Sequence, residues 1–194
     1  VTAQFEMVNP KPEMTGWGKA YFMAWTTTPW TLAANSALCV GPNISYVAVQ
    51  SYNPYTAEPI TVVLAEARLN AYFSEAGKDA DLASYKKGDK VIPWKVVAHY
   101  TGNDLVEMQY SQLLPLISPM QDGAFPGDYV TTEDGTGIVH IAPNFGADDA
   151  NVARKAGVPA IVLVDKKGQE RPVVDLQGKY FVTEDLDADF VNKY

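Results

Sequence analysis

A run of three threonines at the end of a predicted strand is the first group of side chains that could do chemistry. Thr26, Thr27 and Thr28 follow the alternating residues 21–24, and Pro29 comes directly after them. Because proline lacks a backbone N–H and favours an extended residue before it, regular strand pairing is expected to stop there. The three hydroxyls are uncharged donors and acceptors, suited to holding a water molecule or the hydroxyl groups of a ligand. The alternative is an ordinary Thr-Pro strand end.

A second group lies about a hundred residues later, in the stretch 134–149. His140 falls inside a predicted strand, and the pair Asp148 and Asp149 falls in the first turn of a predicted helix. An unperturbed imidazole titrates near neutrality and so invites a general-base role, but a position within a strand argues against it. Acidic residues are favoured in a first helical turn by the macrodipole, so the pair could also be purely structural.

Together the two stretches resemble the paired signature of the editing (CP1) domain of isoleucyl-tRNA synthetase, a class I aminoacyl-tRNA synthetase. Residues 26–32 fit a threonine triplet followed by Pro-Trp-Thr-Leu, and residues 135–149 fit Gly-Thr-Gly, Val-His, Ala-Pro and an acidic pair. Thr28 before the proline favours the isoleucyl branch, because the valyl and leucyl enzymes usually carry arginine there. Ile141 departs from the pattern, since related sequences often have a small polar residue after the histidine, and this leaves the lining beside His140 open.

The resemblance implies post-transfer editing, the hydrolysis of misacylated Val-tRNA(Ile), with cleavage of valyl-adenylate in the same pocket as a weaker expectation. It assigns Asp149 to the α-ammonium of the aminoacyl ester. Thr28 is the expected holder of the hydrolytic water, so these two are the predicted catalytic residues. A non-catalytic β-barrel module that contacts tRNA or another part of a synthetase is the alternative.

The predicted substrate-binding residues surround these two. Asp149 itself is one of them, and the others are two hydroxyls, an indole, an amide and an imidazole: Thr26, Thr27, Trp30, Asn35 and His140. The indole and the imidazole are expected to form opposite walls of a small pocket, although the indole could equally be an ordinary core residue. The amide either bonds the terminal adenosine or only closes the turn.

Composition limits what the chain can bind by itself. The net charge is −8, from 15 basic and 23 acidic residues, which argues against strong binding of a nucleic-acid body. The resemblance implies the 3′ end of aminoacylated tRNA(Ile) and the rest of the parent synthetase as partners, and the charge adds the expectation that the isolated chain, expected to be monomeric, binds tRNA weakly. Lys86, Lys87 and Lys90 form the nearest thing to a basic patch, and a solvated surface explains them better than a binding site does.

No cofactor or metal is expected in this domain. Cys39 is the single cysteine and there are two histidines, too few for a zinc site made by the chain itself. The adenylate-forming signatures of class I synthetases do not occur, so ATP and magnesium are assigned to an absent catalytic domain. A lone cysteine and the lack of a long apolar run predict a cytoplasmic protein with no membrane contact.

The pattern of elements predicts a mainly β domain, a closed β-barrel core decorated with short α-helices, spanning residues 1–194 as one insertion excised from a larger enzyme. The start at Val1 rather than methionine fits that interpretation. The finer predictions are a helix over 65–76, a hairpin of 128–132 with 137–142, a helix capped by Asn144, irregular packing over 115–119, and a linker helix over 183–194 that returns to the catalytic body.

Overall fold

The computed structural model describes residues 1–114 and 123–194, and these are mostly β. The expected irregular packing of 115–119 lies outside the described residues. Eight strands make the main sheet: β1 Thr2–Glu6, β2 Lys19–Trp25, β3 Ala37–Val40, β4 Ser45–Tyr52, β5 Pro59–Ala65, β6 Lys95–Thr101, β7 Ala124–Pro126 and β8 Ile138–Ile141. A separate pair is β9 Val162–Val164 with β10 Glu170–Pro172.

Within residues 1–114 and 123–194, four short α-helices and several 3-10 turns decorate the strands. The helices are α1 Leu69–Tyr72, α2 Gly102–Leu105, α3 Ala147–Ala156 and α4 Ala188–Lys193. The 3-10 turns are Pro12–Met14, Pro29–Ala34, Glu66–Arg68, Glu75–Gly77, Leu82–Ser84 and Thr183–Asp185. Among the residues described, none of the helices is long and apolar enough to cross a membrane.

The prediction of a closed barrel is wrong, because the main sheet is curled into a half-barrel and stays open. Its strands lie in the order β6-β4-β5-β2-β8-β3-β7, which leaves β6 and β7 as the two ends. β1 pairs with β2 outside this path, so the sheet branches instead of closing on itself. Strand patterns in a sequence show which segments extend, but the partner of each strand depends on contacts far along the chain.

The core lies around β5, which is buried along nearly its whole length. Residues 60–65 are all buried, and β5 runs parallel to β2 on one side and antiparallel to β4 on the other. Strands covered on both faces read as continuous apolar runs, and β5 does so. Phe22 and Tyr46 are fully buried on the neighbouring strands. Burying a side chain of that size contributes roughly 2–3 kcal/mol, so the end of β2 is held firmly in place.

The segment with His140 joins the sheet by a route that the sequence did not indicate. Residues 128–132 form no strand, so the predicted hairpin with 137–142 is wrong. β8 instead pairs antiparallel with β3 and meets β2 in parallel at Trp25 opposite Val139. Long-range pairing therefore overrides the local Asp-Gly turn pattern, and it places β8 beside the end of the threonine strand.

Gly137 makes this approach possible. Its φ is +74°, in the left-handed region, and a Cβ built on it would lie 2.4 Å from Cβ of Ala65. Only glycine fits both constraints at low cost. This glycine of the second motif thus acts on backbone geometry, and β8 enters the sheet directly next to the end of β5.

Three helix predictions are corrected in detail. The helix expected over 65–76 shrinks to a 3-10 turn and α1, because Phe73 returns to an extended conformation. Gly146, not Asn144, is the residue before α3, and the Asn144 amide donates to the Ile161 carbonyl instead. The terminal helix over 183–194 is present as a 3-10 turn and α4, and its role as a linker stays a prediction.

Candidate functional site

The threonine motif leaves the sheet through a tight turn. Thr28 precedes the 3-10 turn Pro29–Ala34 with φ −120° and ψ 68°, and Pro29 takes the first position, where a missing N–H costs nothing. The Thr31 hydroxyl donates to the Thr28 carbonyl at 2.7 Å, and the Thr31 amide donates to the same oxygen at 3.0 Å. Two hydrogen bonds from Thr31 to the Thr28 carbonyl therefore close the turn and hold the Thr28 backbone in place.

Hydroxyl groups of the turn form a continuous chain that ends on the histidine. The Thr28 amide donates to Oγ1 of Thr26 at 3.0 Å, and Oγ1 of Thr28 lies 3.3 Å from Oγ1 of both Thr26 and Thr31. Oγ1 of Thr31 lies 3.0 Å from Nε2 of His140. Thr26 and Thr31 are buried and Thr28 is half-buried, so Thr28 is the member of the chain that can still meet a ligand or a water.

The hydrogen-bond pattern assigns the histidine tautomer. Because the single proton of the Thr31 hydroxyl goes to the Thr28 carbonyl, Nε2 of His140 must carry the proton that lies between it and Thr31. Nδ1 then accepts from the Asn35 amide at 3.4 Å. Burial lowers the pKa of His140 from 6.5 to about 4. The imidazole is therefore neutral at pH 7, a weak base and a fixed part of the wall.

Asn35 lies in the interior behind the histidine. It is 1% exposed, and its NH₂ group donates to the Ala37 carbonyl at 2.9 Å and to His140. Its side-chain oxygen accepts from the Tyr110 hydroxyl at 2.6 Å, and its carbonyl accepts from the Gln112 amide at 3.0 Å. This placement favours the second of its two predicted roles, closing the turn and orienting His140, over contact with an adenosine.

The acidic residue of the second motif closes the end of β8. Asp149 lies in the first turn of α3, and its Oδ2 accepts the Ala142 amide at 2.8 Å. Burial raises the pKa of Asp149 and repulsion from Asp148 adds to this, while the Ala142 hydrogen bond opposes the rise. Asp148, by contrast, is exposed. One of the two carboxylates is thus held against the strand end, and the other faces solvent.

The two motifs converge at one end of β8. The ring of His140 contacts the threonine turn, and the backbone amide of Ala142, two residues later, donates to Asp149, so both contacts are made at the end of β8. An extended chain rises about 3.3 Å per residue, which puts the two contacts roughly 7 Å apart along β8. The structure therefore brings the threonine turn and the first turn of α3 to the same end of β8, although about 120 residues of chain lie between Thr28 and Asp149.

Two predicted site residues lie outside the hydroxyl chain. Thr27 is exposed, and Trp30 is 46% exposed, so the indole does not belong to the core. The Trp30 ring lines a cavity of about 620 Å³ together with Phe145 and residues of the segment after β9. Its carbonyl accepts from the Tyr180 hydroxyl at 2.8 Å. Trp30 thus stands at the exposed rim of the turn.

Thr31 is a site residue that reasoning from the sequence missed. It connects the threonine turn to His140, yet it was not among the candidates. Its position three residues after Thr28 matches the repeat of a 3-10 turn, so the spacing could have indicated it once a turn was placed after Pro29. The described residues contain no group of three or more His, Cys, Asp or Glu side chains arranged to hold a metal. Burial raises the pKa of Cys39 to about 11, which keeps it a thiol.

Comparison with known proteins gives the family. No family profile matches the chain. It is 59% identical over 204 residues to isoleucine–tRNA ligase of Bacteroides thetaiotaomicron and 62% identical over 196 residues to that of Bacteroides fragilis. These alignments cover 98% and 100% of the chain but only 18% and 17% of the two ligases. The chain thus spans less than a fifth of the length of the curated relatives it matches.

Solved structures with the same fold are editing domains. The crystal structure of GlLeuRS-CP1 superposes with a TM-score of 0.58 at 16% identity, over 79% of this chain and 62% of that one. The cytosolic leucyl-tRNA synthetase editing domain of P. knowlesi gives 0.57 at 13% identity, over 80% and 63%. At such low identity the likeness concerns the fold alone. The chain belongs to the isoleucine–tRNA ligases, as the segment of them that has the synthetase editing-domain fold.

Proposed function

We propose that the chain hydrolyses the ester bond of valine attached in error to tRNA(Ile). The observation that supports the proposal is that the threonine turn contacts His140 and Asp149 accepts from the Ala142 amide, two residues later at the end of β8. The chemical need is general: one methylene contributes about 0.8 kcal/mol of burial. Selection of isoleucine over valine by these ligases is itself the standard illustration of how little one binding pocket can achieve with that difference. A second, smaller pocket that destroys the valyl product restores accuracy.

Asp149 takes the α-ammonium of the aminoacyl ester. A half-buried carboxylate whose pKa is raised by burial forms a stronger charge-assisted hydrogen bond than an exposed one, because little water competes for it. The Ala142 amide uses Oδ2, which leaves the other oxygen to accept from the ligand. Asp149 would thus fix the amino end of the substrate and aim its carbonyl toward the threonine turn.

Thr28 positions the water. Its hydroxyl lies 3.3 Å from those of Thr26 and Thr31, and because the Thr31 proton goes to the Thr28 carbonyl, Thr28 can donate to Thr31 and accept from Thr26. The water adds to the ester carbonyl, the bond to the ribose oxygen breaks, and the proton of the water passes to that oxygen, which leaves as a hydroxyl. An ester beside an ammonium is already reactive, so a well-placed water suffices. The neutral His140, with a pKa of about 4, serves as wall and anchor and does not act as the base.

The alternative of a non-catalytic module has less support. A spacer that only contacts tRNA has no use for a half-buried carboxylate next to a chain of hydroxyls, since both cost desolvation. Cleavage of valyl-adenylate requires the same ammonium contact and water, so it is a second substrate of the proposed site.

A bound substrate analogue tests the proposal. A non-hydrolysable valyl-adenosine ester analogue is soaked into crystals of the protein, and its position is read from the electron density. The proposal expects the ammonium within hydrogen-bond distance of Asp149 and the carbonyl carbon facing Oγ1 of Thr28. An analogue whose ammonium binds another group, or density that shows the space between Thr28 and Asp149 filled by packed side chains, contradicts it.

A further inference from the structure

Arg68 holds the entry loop, residues 133–137, through which the second motif reaches β8. It ends the 3-10 turn that follows β5, and it is half-buried. Its Nε donates to the Gly135 carbonyl at 2.9 Å, and its Nη1 donates to the Glu133 carbonyl at 3.0 Å. One planar guanidinium thus bridges two backbone carbonyls of the loop and fixes both in one plane. We call this pair of contacts the Arg68 clamp.

The next two carbonyls of the entry loop are held from the same side. The Ala65 amide, at the end of β5, donates to the Thr136 carbonyl at 2.8 Å. The Tyr46 hydroxyl, on β4, donates to the Gly137 carbonyl at 2.6 Å. Because buried backbone carbonyls require partners, these donors together determine the path of the loop. Arg68 is the charged member of the series.

The opposite side of the entry loop packs on the threonine strand. Gly135 has a φ of +65°, and a Cβ built on it would lie 2.9 Å from Cε3 and 3.0 Å from Cβ of Trp25. Trp25 directly precedes Thr26, the first residue of the threonine triplet. The loop therefore lies between the Arg68 guanidinium and the residue before the first motif.

β8 depends on the entry loop for its position. It has four residues, and its pairing with β2 is limited to Trp25 opposite Val139, while its longer pairing is with β3. His140 comes three residues after Gly137, the last carbonyl held by the series, which corresponds to roughly 10 Å of extended chain. The loop thus holds β8 on the side that β3 does not, close to the imidazole.

We propose that Arg68 is a positioning residue that sets the place of His140 and, through it, the selectivity of the site for valine. The inference rests on the proposed function, in which the His140 ring is a wall of the pocket. Both hydrogen bonds that the described structure gives to the Arg68 side chain go to the entry loop, so Arg68 acts on the reaction through the position of β8. Lysine would keep the charge but not the plane, because an ammonium is a point donor.

The Arg68→Lys variant tests the clamp, with Arg154→Lys as a matched control that makes the same exchange. Arg154 is exposed in the last turn of α3, and its Nη1 donates to the Asn151 side chain, away from the entry loop. Crystal structures of both variants are compared with that of the wild type. In Arg68→Lys the entry loop and the His140 ring should move by about 0.5 Å or more, beyond the tolerance of a preorganised site. In Arg154→Lys both should stay in place.

Selectivity is the readout that a merely structural arginine would not move. In the isoleucine–tRNA ligase that carries this segment, Arg68→Lys should lower the ratio of kcat/KM for valyl-tRNA(Ile) over isoleucyl-tRNA(Ile) by about 10-fold, since one methylene in a pocket changes rates about 10- to 200-fold. Arg154→Lys should keep the wild-type ratio. A variant that is only less stable loses both rates by one factor, so an unchanged ratio would refute the role of Arg68. If Arg68→Lys does not fold, Arg68→Gln replaces it, with the same expected fall.

The two readouts together separate this inference from the proposed function. If the wild-type ligase deacylates neither ester while the His140 ring moves in Arg68→Lys, the proposed function fails and the clamp stands as the support of His140. If valyl-tRNA(Ile) is deacylated and Arg68→Lys matches the wild type in structure and in ratio, the clamp fails and the proposed function stands. A displaced ring with an unchanged ratio would show that Arg68 does not set selectivity.

Discussion

Oγ1 of Thr31 lies 3.0 Å from Nε2 of His140, although 109 residues separate the two along the chain. This hydrogen bond joins the two sequence motifs directly, and both side chains are buried. Because the Thr31 hydroxyl also closes the turn over the Thr28 carbonyl, one oxygen sets the direction of both Thr28 and His140. We infer that Thr31 is a positioning residue of the site.

Thr31→Val should destabilise the protein by about 1–3 kcal/mol, because the buried Nε2–H of His140 loses its acceptor. Deacylation should fall as well, since the Thr28 hydroxyl is no longer aligned. Thr15→Val is the matched control: the Thr15 hydroxyl also donates to the carbonyl three residues earlier at 2.7 Å, but in an exposed turn without a histidine. Urea unfolding and valyl-tRNA turnover of both variants give the comparison. Equal losses would show that only the turn matters.

The stability of the protein should fall in acid through His140. Its pKa is about 4 when folded and 6.5 as a free side chain, so the unfolded state binds the proton first. The contribution of His140 is fully present above pH 6.5 and is lost as the pH falls toward 4, about 3 kcal/mol in all. Urea unfolding between these pH values should show a smaller decline for His140→Gln than for the wild type. A decline in His140→Gln as steep as in the wild type would disprove the role of burial.

His140→Ala should admit isoleucyl esters. Removing the ring takes away the part of the wall that excludes the extra methylene of isoleucine. One methylene more or less in a pocket changes rates about 10- to 200-fold. Deacylation of isoleucyl-tRNA(Ile) is measured beside that of valyl-tRNA(Ile), with His99→Ala as the control. If isoleucyl-tRNA(Ile) stays resistant in a folded His140→Ala protein, His140 is not the size filter.

The rate of deacylation should fall in acid as Asp149 becomes protonated. The ammonium contact needs the carboxylate, and the pKa of Asp149 is raised, so kcat/KM should drop at a pH above the usual range for an aspartate. Asp148→Asn removes a repulsion that contributes to this rise and should move the acid limb to lower pH. Asp189→Asn changes an exposed acid in the first turn of α4 and should leave the limb in place. If the acid limb lies at the same pH in the wild type, Asp148→Asn and Asp189→Asn, Asp148 does not affect the pKa of Asp149.

The sequence indicated candidate site residues but not how they are connected. The threonine triplet, His140 and Asp149 could be proposed because each has a distinct residue type in a long motif, and their roles stay predictions. Thr31 was missed, because its contacts depend on a 3-10 turn that brings its hydroxyl to both the Thr28 carbonyl and His140. The burial of Asn35 and its bond to Tyr110 favour a role in closing the turn, and its contact with an adenosine stays untested.

Local patterns also failed where distant strands decide the outcome. The Asp-Gly pair at 134–135 predicted a hairpin, yet Gly135 instead packs against the Trp25 ring, and β8 pairs with β3 and β2. The barrel prediction failed for the same reason, since the number of strands is visible in a sequence and the closure of a sheet is not.

The most direct measurement is the deacylation of valyl-tRNA(Ile) by the isoleucine–tRNA ligase that carries this segment, with two neighbouring carboxylates exchanged in turn. Asp149→Asn keeps an oxygen for the Ala142 amide but removes the charge that holds the ammonium, and should slow turnover by about 100-fold or more. Asp148→Asn, one residue earlier and exposed, should stay within the roughly 0.5 kcal/mol expected of a surface change at neutral pH. Unchanged turnover in Asp149→Asn, or equal losses in both variants, would contradict hydrolysis at the junction of the threonine turn and α3.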